Sequence, residues 1–180
     1  FVPQRVWPGI RADLGRTVHA LAFLELLNAT LTEGEHHPEV FDLLVRFLNG
    51  LEEERRPGLA RIVASLRLLS SAGFAPCLAA CVVCRGEVDA RAASGFAPEA
   101  GGVVCRACRS QVPQGSVLPL SAATHGFLLR ALTLPEGRAR RLRIAAPQER
   151  DASRLLDAFV AARTGERPRC GSAIERLEAG

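Results

Sequence analysis

Apolar residues recur along the first third of the chain at steps of three and four. Leu14, Val18, Leu21, Leu24, Leu27 and Leu31 form one such series, which predicts a helix with that stripe buried. The acidic turn Thr32-Glu33-Gly34-Glu35 stops it, and Pro38 stands where a first helical turn tolerates a residue without an N–H. A second helix follows, expected to bury Val40, Phe41, Leu44, Phe47, Leu48 and Leu51 and to end in the exposed run Glu52-Glu53-Glu54-Arg55-Arg56. Pro57 restarts the pattern, and a third helix should bury Leu59, Ile62, Val63, Leu66 and Leu69 before Gly73, a residue suited to the left-handed position beyond a helix end. Three helices with short connections predict an antiparallel bundle.

From Phe74 to about Leu120 the helical period disappears into Gly, Pro, Cys and Val. It returns at Ser121–Leu132 and again at Ala152, Leu155, Leu156, Phe159 and Val160, ending at Gly165. A last helix is expected from a capping box, Ser172 with Glu175, leading into Ile174 and Leu177. The predicted fold class is therefore mainly α: a helical bundle with an inserted four-cysteine zinc-knuckle module. The expected division is 1–73 for the first bundle portion, 74–120 for the module and 121–180 for helices packing back on the bundle.

Composition sharpens this picture. At 180 residues, 48% apolar, with a mean hydropathy of +0.11, the chain has the material for a packed core without cysteine staples. All 23 basic residues are arginine, Met and Tyr are absent, and Asn occurs only at positions 28 and 49, a bias that a GC-rich genome produces by itself. With no Met anywhere, Phe1 is not read as a natural start. No apolar stretch approaches the roughly 18 residues of a membrane span. Net charge is +4, unevenly placed: residues 1–104 carry 10 Arg against 12 acids, and residues 105–180 carry 13 Arg against 7.

The chemistry concentrates in two CxxC pairs, Cys81-Val82-Val83-Cys84 and Cys105-Arg106-Ala107-Cys108, separated by 20 residues. That spacing suits a four-thiolate zinc site, and four protein ligands leave no open position for catalysis, so the metal would be structural. Gly86 and Gly101-Gly102 stand where backbone must turn tightly about it. An iron–sulfur cluster takes the same four ligands, and a redox disulfide needs one CxxC. Cys77 is an alternative ligand by proximity, whereas an isolated Cys170 reads as a small buried hydrophobe. His36-His37 reads as a solvated turn, His19 and His125 lack supporting ligands, and no nucleophile-elbow, zincin, P-loop or dinucleotide motif is present.

The densest positive cluster is Arg138-Ala139-Arg140-Arg141-Leu142-Arg143, followed by Arg150, Arg154, Arg163, Arg167 and Arg169. Guanidinium groups match phosphate oxygens, so Arg138, Arg140, Arg141 and Arg143 are candidate DNA contacts, against the alternative of a solvated loop. No aromatic ring interrupts the run, and the single tryptophan, Trp7, is remote in sequence, so no single-strand stacking platform is visible.

The order of these pieces resembles the bacterial recombination mediator RecO. The resemblance is carried by Arg11-Ala12-Asp13-Leu14, Ala20-Leu21-Ala22-Phe23-Leu24-Glu25-Leu26-Leu27, His37-Pro38-Glu39-Val40-Phe41-Asp42-Leu43-Leu44, and Leu66 to Pro76 with Leu78 before the first CxxC. Phe96, Gly101-Gly102 before Cys105, and the closing Ser172 helix extend it over nearly the whole chain. It implies a helical domain with a structural Zn2+, preceded by an OB-fold of which Phe1–Pro8 would be the exit. It also implies a cytoplasmic, nucleoid-associated protein that is not an enzyme. Such a protein binds single- and double-stranded DNA, anneals strands, engages RecR and the C-terminal tail of the single-stranded-DNA-binding protein, and aids RecA indirectly in DNA repair. A zinc-ribbon protein–protein adaptor without DNA contact is the competing expectation.

Overall fold

The computed structural model describes residues 6–31, 37–53, 55–89, 93–165 and 168–179. A short helix α1 (Pro8–Ala12) is followed by α2 (Leu14–Thr30), α3 (Pro38–Glu53) and α4 (Pro57–Ser71). Each start has a local cause. Asp13 accepts the Arg16 amide at 2.9 Å, which caps α2, and Pro38 and Pro57 occupy the first positions of α3 and α4. Gly73 adopts φ +77° just beyond α4.

Helix α4 is the centre of the molecule. Every residue from Gly58 to Leu66 is buried, with Leu68 and Leu69, and it packs against α2, α3, α5 (Ala122–Thr133) and α7 (Ala146–Thr164). The expected set Leu59, Ile62, Val63, Leu66 and Leu69 is buried as predicted. The stripe expected on α2 is buried only in part. Leu14, Leu21 and Leu24 are exposed, while His19, Ala20, Ala22, Phe23 and Leu26 are buried with Val18 and Leu27. This helix is apolar on most sides, and α4 and α8 (Arg169–Ala179) pack on it, so periodicity alone does not choose its inner face. Phe41 of α3 is likewise 65% exposed, its expected place taken by Leu43. Phe23 and Phe47 meet with ring centroids 4.5 Å apart.

The segment without helical period contains an antiparallel hairpin, β1 (Ala93–Ala97) with β2 (Gly102–Cys105), followed by a 3-10 helix at Arg106–Gln111. Gly101, at φ +91°, makes the turn. Gly102 is needed for a second reason: Cys77 pairs with it, and any Cβ there would collide with the Cys77 carbonyl. The hairpin does not stand apart from the helices. Phe96 and Phe159 meet edge to face at 6.0 Å, the Arg163 guanidinium lies 5.3 Å from the Phe159 ring centre, and buried His125 of α5 bonds the Leu78 carbonyl through Nε2 at 2.7 Å. Residues from all three expected segments share one hydrophobic cluster, from Phe23 and Leu66 through Phe96 and Val103 to Leu128 and Phe159.

A one-turn helix α6 (Glu136–Ala139) precedes α7, which ends at Gly165 with φ +75°. Helix α8 begins three residues before the predicted cap. Its first amides, Arg169 and Cys170, donate to the Glu25 carboxylate of α2 at 3.1 and 3.0 Å, so a distant side chain supplies the cap and Ser172 lies inside the helix, donating to the Arg169 carbonyl. The Glu175 side chain and the acidic turn at 32–35 lie outside the described residues.

Candidate metal centre and basic surface

Two backbone knuckles bring the four CxxC cysteines together. In the first, Cys81 N–H donates to Gly86 O and Arg85 N–H to Cys81 O, both at 2.9 Å, with Arg85 held at φ +63°. The second spans the end of β2 and the 3-10 helix. The Sγ atoms of Cys81, Cys84, Cys105 and Cys108 all lie within 4.8 Å of one another. Cys84 and Cys105 are 3.9 Å apart, close to the edge of about 3.8 Å that a tetrahedron of sulfurs about 2.3 Å from zinc requires. Cys81 and Cys108 are buried, Cys105 half-buried and Cys84 exposed.

The electrostatics calls for a cation. Burial pushes the Cys81 thiol up, but the amides of Cys105, Cys84 and Val83, followed by the Cys84 thiol, outweigh it and bring it down to about 6. Cys108 is pushed up to about 12, first by burial and then by the thiols of Cys105, Cys84 and Cys81. At Cys108 the neighbouring sulfurs therefore oppose ionisation. A divalent ion among them reverses this, and the donor set, all sulfur and fully supplied by the chain, fits a soft tetrahedral metal. Cys77 lies outside the cluster, its thiol donating to Ala80 O at 3.2 Å and its backbone pairing with Gly101 and Val103. Cys170 sits at the start of α8, its thiol pushed up by burial and then by Glu25.

The arginine run is not a free loop. Ala139 and Leu142 are buried, and Arg140 packs against Gly50 of α3. Arg138, Arg141 and Arg143 are exposed. Other arginines, unremarkable in the sequence, hold the C-terminal segment in place. Arg56 donates to the Ile144 carbonyl at 2.8 Å and pairs with Glu149 at 2.6 Å. Buried Arg61 pairs with Asp157 at 2.9 Å and donates to Ser153. Arg67 reaches the carbonyls of Ala131, Leu132 and Leu134, which closes the C-terminus of α5. Arg167 and His36 lie outside the described residues, and His37 approaches Glu39 at 3.6 Å.

Comparison with known proteins completes the picture. Residues 11–170 match the family described as recombination protein O, C terminal. The chain belongs to the RecO family. Among curated relatives it is 33% identical to the DNA repair protein RecO of Desulforudis audaxviator, over 95% of this chain and 67% of that one. It is 34% identical to that of Anaeromyxobacter dehalogenans, over 91% and 63%, and 37% identical to that of Rubrobacter xylanophilus, over 73% and 52%. The chain thus spans roughly half to two-thirds of the length of these RecO proteins. This member of the family is mainly helical, with a four-cysteine cluster able to hold a metal ion. No helix among the described residues is long and apolar enough to cross a membrane.

His125 is the residue near the module that sequence spacing passed over. It is fully buried and ties α5 to Leu78, three residues before the first ligand candidate. The only sequence signal for it was a histidine on the apolar side of a helix.

Proposed function

We propose that this RecO chain is the zinc-bearing helical part of a non-enzymatic recombination mediator, with Cys81, Cys84, Cys105 and Cys108 as the ligands of one structural Zn2+. The observation that carries the reading is the cluster of four sulfurs, all within 4.8 Å of one another, in a chain of this family. Zinc bound there cross-links the two knuckles and supplies no reactive position. The chain's own residues do the rest. The Cys81 knuckle and the start of the 3-10 helix flank the hairpin in the chain, so joining them fixes the hairpin, and with it Phe96, against α7.

On this reading the three segments 1–73, 74–120 and 121–180 act as bundle, brace and basic face. Arg138, Arg141 and Arg143 contact DNA phosphates of single or double strands, and Arg140 sets the segment on α3. RecR, the tail of the single-stranded-DNA-binding protein and, indirectly, RecA are the partners, and strand annealing is the activity of the longer protein.

Two measurements test it. Protein purified without added metal should carry close to one equivalent of zinc; less than half an equivalent, or a visible-range chromophore, overturns the metal assignment. Replacing Arg138, Arg141 and Arg143 by Glu should weaken DNA binding and reduce the slope of log K against log salt by about 2, since each neutralised phosphate contributes roughly 0.7–0.9. An unchanged slope discards that surface.

A further inference from the structure

The remoteness of Trp7 from the arginine run disappears in the fold, because the last turns of α3 hold both. The Trp7 indole N–H donates to Asn49 Oδ1 at 3.1 Å, and the next residue, Gly50, carries Arg140 packed where a side chain would otherwise stand. Positions 46, 49, 50 and 53 share one face of α3. Arg46 pairs with Glu136 of α6 at 3.4 Å, so the segment from Glu136 to Arg140 follows the 46/50 edge of that face while Trp7 occupies the side of position 49. Glu52, one step farther round, accepts the amides of Gly9 and Ile10 at 2.7 and 3.0 Å and so fixes α1 and the backbone beside Trp7. On the opposite flank Arg56 grips the carbonyls of Leu142 and Ile144. Both flanks are therefore pinned to one scaffold.

Between these anchors Arg138, Arg141 and Arg143 are exposed, and among the described residues their side chains make no hydrogen bond or ion pair. The Trp7 ring is half-buried against the core, with its one polar atom already satisfied by Asn49, so what it offers to solvent is apolar ring surface. A polyanion with flat aromatic groups at regular intervals matches this combination. A duplex matches only the cationic half, since its bases are stacked on one another. An acidic peptide would need a groove for its side chains, and two broad grooves among the described residues lie elsewhere, between α2, α7 and α8 and between the module and α7.

We propose that Trp7 is a base-stacking platform for single-stranded nucleic acid, set across the end of α3 from the phosphate-binding Arg138, Arg141 and Arg143. The inference rests on the DNA-binding reading above and adds to it a ring, a location and a preference for single strands. Glu53, exposed on the same ridge, opposes the phosphates and moderates the affinity.

Trp7 is the sole tryptophan and the chain has no tyrosine, so emission excited at the red edge reports this ring alone. Titration with oligothymidylate, followed in parallel by anisotropy of a labelled oligonucleotide, should quench that emission saturably, whereas a duplex of equal length should bind without quenching. Trp7→Phe should keep single-strand affinity within about threefold. Trp7→Ala, verified as folded by circular dichroism and metal content, should weaken it about tenfold and leave duplex affinity unchanged, the scale expected of one stacked base. Glu53→Gln should tighten both. Emission unchanged at saturating oligothymidylate, equal quenching by duplex, or full single-strand affinity in Trp7→Ala overturns the platform while leaving DNA binding intact. Binding of neither form overturns the parent reading instead. If Trp7→Ala fails to fold, the titration of the unaltered chain decides.

Discussion

Replacing Asp157 by Ala strands the Arg61 guanidinium in the middle of α4. The Arg61 side chain is 5% exposed and that of Asp157 23%, with Nη1 and Oδ1 2.9 Å apart and the Ser153 hydroxyl on the other nitrogen. At an effective dielectric near 20, a contact of this length corresponds to roughly 6 kcal/mol of attraction before desolvation, most of which the burial of the two charges offsets. Removing the carboxylate leaves the desolvation of Arg61 in place without that offset. Breaking a fully buried pair costs about 3–5 kcal/mol; the partial exposure of Asp157 admits water to the vacated site, which lowers the expectation to about 2–3 kcal/mol. For a chain of this size that is a fall in Tm of roughly 5–10 °C. The assay is urea and thermal unfolding of metal-replete protein, comparing Asp157→Ala with the double variant Arg61→Met/Asp157→Ala. The double variant removes the orphan charge and replaces it with a chain of similar length, so it should recover at least about 1 kcal/mol relative to the single variant. A double variant less stable than Asp157→Ala, or a single variant within about 0.5 kcal/mol of the parent, would refute the argument that this pair acts through desolvation.

Three further outcomes follow from the same geometry. Cys84→Ser, at the exposed corner of the sulfur cluster, should lower bound zinc from about one equivalent to near zero by metal analysis and raise hydrogen exchange in 93–105 more than in α4, the buried centre of the molecule. Gly102→Ala drives a Cβ into the Cys77 carbonyl and should cost about 2–3 kcal/mol in chemical denaturation, with loss of metal affinity; a neutral result would contradict the close approach. His19 is held near a pKa of about 3 against 6.5 when unfolded, chiefly by burial and then by Arg61, with Asp13 opposing. Between those values the unfolded chain takes up a proton that the folded one refuses. The stability due to neutral His19 is therefore complete above about pH 6.5 and is lost as pH falls toward 3, at up to about 1.4 kcal/mol per pH unit. Urea midpoints measured from pH 7.5 down to 4.5 should fall less steeply in His19→Leu, and parallel slopes would sink the assignment.

Much of the frame was legible because its causes are local. Pro38 and Pro57 set helix starts, Gly73 and Gly165 take left-handed backbone at helix ends, and Ser121 caps α5 by accepting the Thr124 amide. The CxxC pairs were legible for the same reason, since each knuckle is built within six residues or fewer. The hairpin was not, because its strands are five and four residues long and Gly-bearing, and Gly95 and Gly102 are there for close packing against Leu118 and Cys77. Nor was the inner face of α2, where the stripe Leu14, Leu21 and Leu24 is as apolar as the face the fold uses.

What the sequence determined by itself is the set of long helices, the four-sulfur chemistry and the concentration of arginine after residue 104, all properties of short segments. Tertiary structure alone decided what each charged group does. Arg56, Arg61 and Arg67 became fasteners, Glu25 and Glu52 became caps for helices far away in the chain, and Arg140 was set on Gly50 beside the residue that holds Trp7. The physical reason is reach. A backbone conformation is chosen by its immediate neighbours, whereas a buried guanidinium or carboxylate must be satisfied by whichever carbonyl, amide or opposite charge the packing of the helices brings within about 3 Å.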